Sequence, residues 1–180
     1  MRALDAEFEG LRDRLEAMGR PVVAWMLPGV DADHVASVLG AAVPDSVAQW
    51  FRWCNGVAVV PGQIQDQVNV IPGYSPLSLE EGLRMRDAYT GDDVLGDHWV
   101  PLLGSGGGDL YAAVWAPGEE AVVAGVLVGE PTETEFSSIE QMVTTFNVCY
   151  DRGAFFVDDQ GRLAMSPDLY DGVYDQVVGQ

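Results

Sequence analysis

From residue 3 to residue 18 the apolar positions Leu4, Phe8, Leu11, Leu15 and Met18 recur at steps of four, three, four and three. That spacing predicts a helix with one apolar stripe and with Arg12, Asp13, Arg14 and Glu16 mainly off it, ended by Gly19 to Pro21. Asp31 to Leu39 predicts a second helix capped by an aspartate and closed by Gly40. The stretch Pro44 to Gly56, PDSVAQWFRWCNG, predicts a third, with Val47, Trp50, Phe51 and Cys54 on one face. Pro44 suits the first turn, where its missing N–H costs nothing, and Asn55-Gly56 tolerate the left-handed backbone that ends helices.

Beyond Gly56 the apolar period shortens. Val57 to Val60 and Val68 to Ile71 are β-branched runs punctuated by Pro61-Gly62 and Pro72-Gly73, and they predict two strands joined by a loop. Ser78-Leu79-Glu80-Glu81 is a capping box that opens a helix to about Tyr89. His98 to Leu103, Asp109 to Trp115 and Ala121 to Val128 predict three further strands, antiparallel neighbours separated by glycine turns and Ala116-Pro117-Gly118. Ser138 opens another helix that turns Ile139, Met142, Val143, Phe146 and Tyr150 toward the core. Ala154 to Val157 and Arg162 to Met165 read as a hairpin around Asp158-Asp159-Gln160-Gly161. Ser166-Pro167 then begins a last helix to about Val178, with Leu169, Val173 and Val177 on one side. No repeat or low-complexity segment interrupts this order.

The bulk properties narrow the class. A chain of 180 residues buries roughly two-thirds of the surface its unfolded form exposes, so one domain needs no metal or disulfide to hold it. A 48% hydrophobic content against 21% charged residues argues for a packed globule. No apolar run approaches the ~20 residues of a membrane span, and Ala121 to Val128 is both short and broken by Gly125. Asp5, Glu7 and Glu9 stand where a signal peptide would carry apolar residues, so the chain reads as cytoplasmic. Cys54 and Cys149 both fall in helical segments and read as buried free thiols.

Charge changes the picture more. Nine basic residues, all arginine, face 28 acidic ones, a formal charge of -19. Between Arg86 and Arg152 no arginine or lysine occurs. Asp87, Asp92, Asp93, Asp97, Asp109, Glu119, Glu120, Glu130, Glu133, Glu135, Glu140 and Asp151 all lie there. Such a surface repels phosphate backbones, which disfavours direct nucleic-acid binding, and it speeds encounter with basic partners. Charge of this size also serves solubility alone, and the two readings stay open together.

Candidate chemistry is sparse. His34 and His98 have no metal-ligand spacing to each other or to a cysteine. Gly106 to Gly108 lead into Asp109, where a phosphate-binding loop needs lysine and then serine or threonine, and Ser105 has Leu103 where a nucleophile elbow needs its upstream glycine. Glu80-Glu81, Asp92-Asp93, Glu119-Glu120 and Asp158-Asp159 are paired carboxylates, but neighbours along a helix or strand point apart. Asp158 to Gly161 lacks the alternating ligands of a calcium loop. No cofactor or metal is expected. Trp50 belongs to the apolar face, whereas Trp53 falls at its edge: it is a candidate contact residue, against the alternative that all five tryptophans pack in the core.

The order of Leu39-Gly40, Val43-Pro44, the aromatic helix, Asn55-Gly56, the helix opening Leu77-Ser78-Leu79-Glu80-Glu81, Trp99-Val100-Pro101-Leu102-Leu103, Gly106-Gly107-Gly108-Asp109-Leu110-Tyr111 and Phe136-Ser137-Ser138-Ile139 resembles the SUKH superfamily, the Smi/Knr family. The match covers roughly residues 35 to 165 of a single domain, 26 to 180, with residues 1 to 25 as a helical extension packed on it. The resemblance implies an α+β domain with a mixed sheet backed by helices. Joined to the runs above, this gives a mixed, largely antiparallel sheet of about six strands packed against helices, with an N-terminal helix.

For bacterial members the resemblance implies a non-enzymatic immunity protein that binds and neutralises a partner toxin. For fungal ones it implies a regulatory or scaffold role through protein contacts. The expectation is therefore a protein partner, a basic nuclease-type toxin, met by an acidic surface that includes Trp53, Asp87, Asp92, Asp93, Asp97, Glu130, Glu133 and Glu135. No nucleic acid or membrane is involved, and the chain is a monomer or dimer. The rival from another class is a hydrolase using paired carboxylates.

Overall fold

Leu4, Phe8, Leu11 and Leu15 are all buried on helix α1 (Ala3–Ala17), as their spacing requires. In the computed structural model, which describes residues 3–40, 42–89 and 91–179, this stripe lies in the same core as α4 (Asp45–Trp53) and α7 (Ile139–Asp151). The Asn147 side chain donates to the Glu7 carbonyl at 2.9 Å, and Arg14 meets Asp151 at 2.6 Å, fixing α1 along α7. The short helix α2 (Val22–Trp25) follows, then α3 (Ala32–Leu39), whose Asp31 side chain accepts from the His34 N–H. Val47, Trp50, Phe51 and Cys54 are buried as predicted. Among the described residues, no helix is long and apolar enough to cross a membrane.

The fold is α+β with an N-terminal helix, as expected, and the seven strands among the described residues divide into a five-stranded and a two-stranded sheet, antiparallel at each pairing rather than mixed. β1 (Tyr74–Pro76), β2 (Trp99–Ser105), β3 (Leu110–Val114), β4 (Val122–Val126) and β5 (Glu133–Phe136) form a sheet in that order, antiparallel at each pairing. From β2 to β5 tight connections reverse the chain, which antiparallel pairing permits. β6 (Phe155–Val157) and β7 (Leu163–Met165) pair separately as the predicted hairpin, and α8 (Pro167–Val177) follows.

Both faces of the larger sheet are covered. Tyr111, Ala113, Val123 and Phe136 point to the side of α1, α4, α7 and α8, while Leu110, Ala112, Ala124 and Val126 point to α6 (Leu79–Arg86) and residues 91–98. Small residues allow α6 to approach closely: a Cβ on Gly82 would lie 3.1 Å from the Pro101 carbonyl, and one on Gly104 would lie 3.2 Å from the Leu77 methyls. The capping box forms as read, with the Ser78 hydroxyl accepting from the Glu81 N–H and the Glu81 carboxylate accepting from the Ser78 N–H.

Three local readings are corrected. Val57 to Val60 is not a strand: Val57 packs on the core but makes a single bridge to Met26, and Val59 is 90% exposed, so no ladder extends along the run. Val68 to Ile71 is not one either, because Val68 ends helix α5 (Gln65–Val68) and Ile71 pairs only across the Gly73 turn with Tyr74. Asn55 does not take a left-handed backbone. Gly56 does, with φ +87°, and the Asn55 side chain accepts from the Leu79 N–H at 2.9 Å, so the pair ties the end of α4 to the start of α6.

The segment before α3 runs against the end of α4, where the Val30 N–H donates to the Phe51 carbonyl and the Leu27 N–H to the Gly56 carbonyl. A Cβ on Gly29 would fall on the Arg52 carbonyl, which belongs to backbone and cannot swing aside. Gly29→Ala is expected to lower stability by about 3 kcal/mol through overpacking, measured as a shift of the denaturant midpoint at constant slope.

Candidate functional site

The eight residues picked out by sequence do not form one patch. Trp53 lies on the helical side, stacked on Phe8 at 4.8 Å between ring centroids and edge-on to Trp50 at 5.3 Å. It is partly buried, beside Asp5, Glu9 and Arg52, and away from the other seven.

Asp87 and Asp97 both line an open cleft of about 640 Å³ between α6 and residues 91–97. This cleft is not purely acidic, because Arg84 and Arg86 from the last turn of α6 also line it. The Arg86 guanidinium sits 5.7 Å from the Trp99 ring and donates to the Asp97 carbonyl, a cation–π contact on an otherwise buried tryptophan. The sequence segment without arginine is thus neutralised in part by the helix just before it.

Asp92 is turned inward. Its carboxylate accepts from the Thr132 hydroxyl at 2.6 Å and from the Val94 and Leu95 N–H groups. The Thr132 bond, then the two backbone N–H groups, hold the carboxyl below the usual carboxylate range. Asp92 therefore fastens the 91–97 loop to the connection before β5, while Asp93 stays exposed on that loop.

Glu130, Glu133 and Glu135 come together. With Gly125, Leu127 and Pro131 they line a cleft of about 410 Å³ at the β4–β5 edge of the sheet, and no basic residue lines it. Glu135 is the extra residue of a bulge, since Val123 pairs with Phe136 and Ala124 with Thr134. Its side chain folds over Gly125, where a Cβ would stand 2.7 Å from the Glu135 Cγ. The Tyr174 hydroxyl on α8 donates to the Glu135 carbonyl at 2.8 Å and lies 3.2 Å from its carboxylate. The signal for this site was Gly125 itself, since a glycine inside an apolar strand marks a bulge or a close approach.

Other candidates resolve into structural roles. Ser105, Gly108 and Asp109 close a turn, with Asp109 accepting from the Val128 N–H. Asp158 closes the β6–β7 turn, accepting from the Gln160 and Arg162 N–H groups. His98 stacks on Trp115, and His34 is exposed on α3. Among the described residues no group of three His, Cys, Asp or Glu side chains could hold a metal ion. Cys54 and Cys149 are buried free thiols, and burial pushes each up to about 12. Compared with models of known families and with curated proteins, the chain matches none.

Two outcomes follow from these environments. Asp92→Ala is expected to cost about 1–2 kcal/mol at neutral pH by orphaning three donors. Because the folded carboxyl titrates below its unfolded value, that stabilisation is present above about pH 4 and is lost as pH falls through the folded value. Wild type and variant should therefore converge in acid, as read by denaturation at several pH values. In the native protein at pH 8 neither thiol should react with a thiol-directed disulfide reagent over minutes, while both should react in denaturant.

Proposed function

We propose that this chain is a non-enzymatic binding protein of the immunity type, which neutralises a basic toxin by holding it against its carboxylates, with no bond made or broken. The observation that carries this reading is the Glu130, Glu133 and Glu135 cleft, acidic and without a lining cation, on a molecule of formal charge -19. The order of sequence motifs resembling the SUKH superfamily supports it independently, and so does the partner chemistry. A toxin that cuts nucleic acid is commonly basic because it must bind phosphate.

Of the twelve carboxylates between Arg86 and Arg152, Asp151 alone is ion-paired among the described residues, to Arg14. The remainder contribute a field that accelerates approach, while contacts at close range set how long the complex lasts. A regulatory scaffold of the fungal kind would use the same surface without a toxin. The two readings separate in one experiment, co-expression with the product of an adjacent gene: rescue from a toxic neighbour supports immunity, and a harmless neighbour removes it. With the purified pair, the association rate should fall about tenfold or more from low salt to about 0.5 M salt while dissociation changes little. Equal association rates at both would sink the charge-steered mechanism.

A further inference from the structure

The two edges of the five-stranded sheet are finished differently. At β1, the Tyr74 carbonyl accepts from the Val70 N–H at 2.9 Å, the Tyr74 N–H donates to the Ile71 carbonyl at 3.0 Å, and Pro76 has no N–H to offer. That edge is closed. At β5, the backbone of Thr132 to Glu135 makes one bond outside its ladder with β4 among the described residues, from the Tyr174 hydroxyl to the Glu135 carbonyl. Glu133 and Thr134 are exposed there. An unpaired strand edge is a template for another strand.

Charge decides which strand. Two copies of this chain joined edge to edge through β5 would set Glu133 and Glu135 against their own equivalents, and like charges facing across strands destabilise the pairing. A neutral strand gains nothing from the cleft beside the edge. A strand carrying arginine or lysine at alternate positions would place those side chains on one face, the spacing at which Glu133 borders the cleft with Glu130 and Glu135. The Glu135 carboxylate is already positioned by Tyr174 and by its fold over Gly125.

We infer that β5 is the docking edge, and that it receives an extended basic segment of the partner protein, which adds as a sixth strand with its cationic side chains among Glu130, Glu133 and Glu135. This deepens the binding reading above and rests on it for the partner's basic character. The main-chain bonds would give affinity at the edge, and the three carboxylates would give preference for arginine or lysine over neutral residues.

The probe is an end-capped synthetic peptide of about seven residues alternating arginine with valine, alongside the same peptide methylated on alternate backbone nitrogens, which keeps the charge and removes the strand bonds. Titrated into the full chain, the unmethylated peptide should shift amide resonances within 125–135 and slow amide exchange at β5. Its affinity should fall about tenfold on methylation, and about tenfold for Glu130→Lys/Glu133→Lys, but less than about twofold for the control Asp13→Lys/Glu16→Lys on α1. Equal binding of the two peptides to the wild-type protein, or an equal loss in the control variant, would reduce the attraction to diffuse charge and overturn the inference. A neutralised toxin whose complex is indifferent to Glu130→Lys/Glu133→Lys would overturn the edge alone. Peptide pairing at β5 beside a failure to bind any basic toxin would overturn the immunity reading alone.

Discussion

The sheet is buried on both faces, and the layout of the molecule follows from how unequally that is done. Six of the seven residues of β2 are buried, so neither side of the central strands can meet water. The larger cover, from α1, α4, α7 and α8, supplies the aromatic and aliphatic bulk, with Phe136 and Phe146 meeting edge-on at 5.9 Å and Trp50 fully enclosed. The smaller cover is one short helix, α6, and the 91–98 loop. A helix of eight residues has little stability of its own in water. It is held by its capping box, by the Asn55 side chain on its first N–H, and by Gly82 and Gly104, which let it settle close to the sheet. Asn55-Gly56 is thus the joint between the two covers, and a Cβ at Gly56 would stand 2.8 Å from the Ser78 nitrogen.

The distribution of charge follows from the same asymmetry. The arginines on the helical side join elements: Arg14 links α1 to Asp151 on α7, Arg52 links α4 to Asp5 on α1, and Arg20 links the end of α1 to Asp66 on α5. The first two are solvent-exposed, and such pairs contribute little, about 0–1 kcal/mol each. Arg20 is different, with its side chain 3% exposed and a second bond to the Asp66 carbonyl, so losing either partner would strand a desolvated charge. With those three arginines committed there, Arg84 and Arg86 are the arginines that line the cleft on the loop side, and among the described residues none lines the cleft at the β4–β5 edge.

Much of the scaffold was legible because burial imposes a period. The stripes of α1, α4 and α7 and the caps at Asp31, Ser78 and Ser138 all form where the residues put them. The three central strands read as apolar runs because both of their faces are covered. What failed lacked such a signal. β1 is YSP and β5 is ETEF, so neither shows an apolar run or alternation in the sequence, and each exists because a neighbour offers it a ladder. Val57 to Val60 has the composition of a strand, but its neighbour at Trp25 to Leu27 pairs with it for one bridge only. The site was legible only in part: local sequence does not reveal that Asp92 bonds across to Thr132, nor that Trp53 would find Phe8 from a helix 37 residues or more away in sequence. Acidity could be counted from the sequence, but its convergence at Glu130, Glu133 and Glu135 depends on a bulge and on Tyr174, contributed by the last helix.

Two means of closing a sheet edge occur in this one molecule, and they differ in what they exclude. A returning loop at β1 takes up the Tyr74 N–H and carbonyl and Pro76 has no donor, so that edge offers an incoming strand little to pair with whatever its composition. At β5 the main-chain groups of Glu133 and Thr134 make no bond outside the ladder among the described residues, Tyr174 caps only the Glu135 carbonyl, and carboxylates guard the rest. Electrostatic exclusion is conditional: it acts against acidic and self-pairing strands, weakens over a Debye length of about 10 Å at 0.1 M salt, and reverses sign for a cationic strand. An edge closed by charge is therefore also a selective one. The glutamates that keep β5 of one copy from β5 of another are the same groups that would favour a basic chain, so protection against self-association and recognition of a partner need no separate residues.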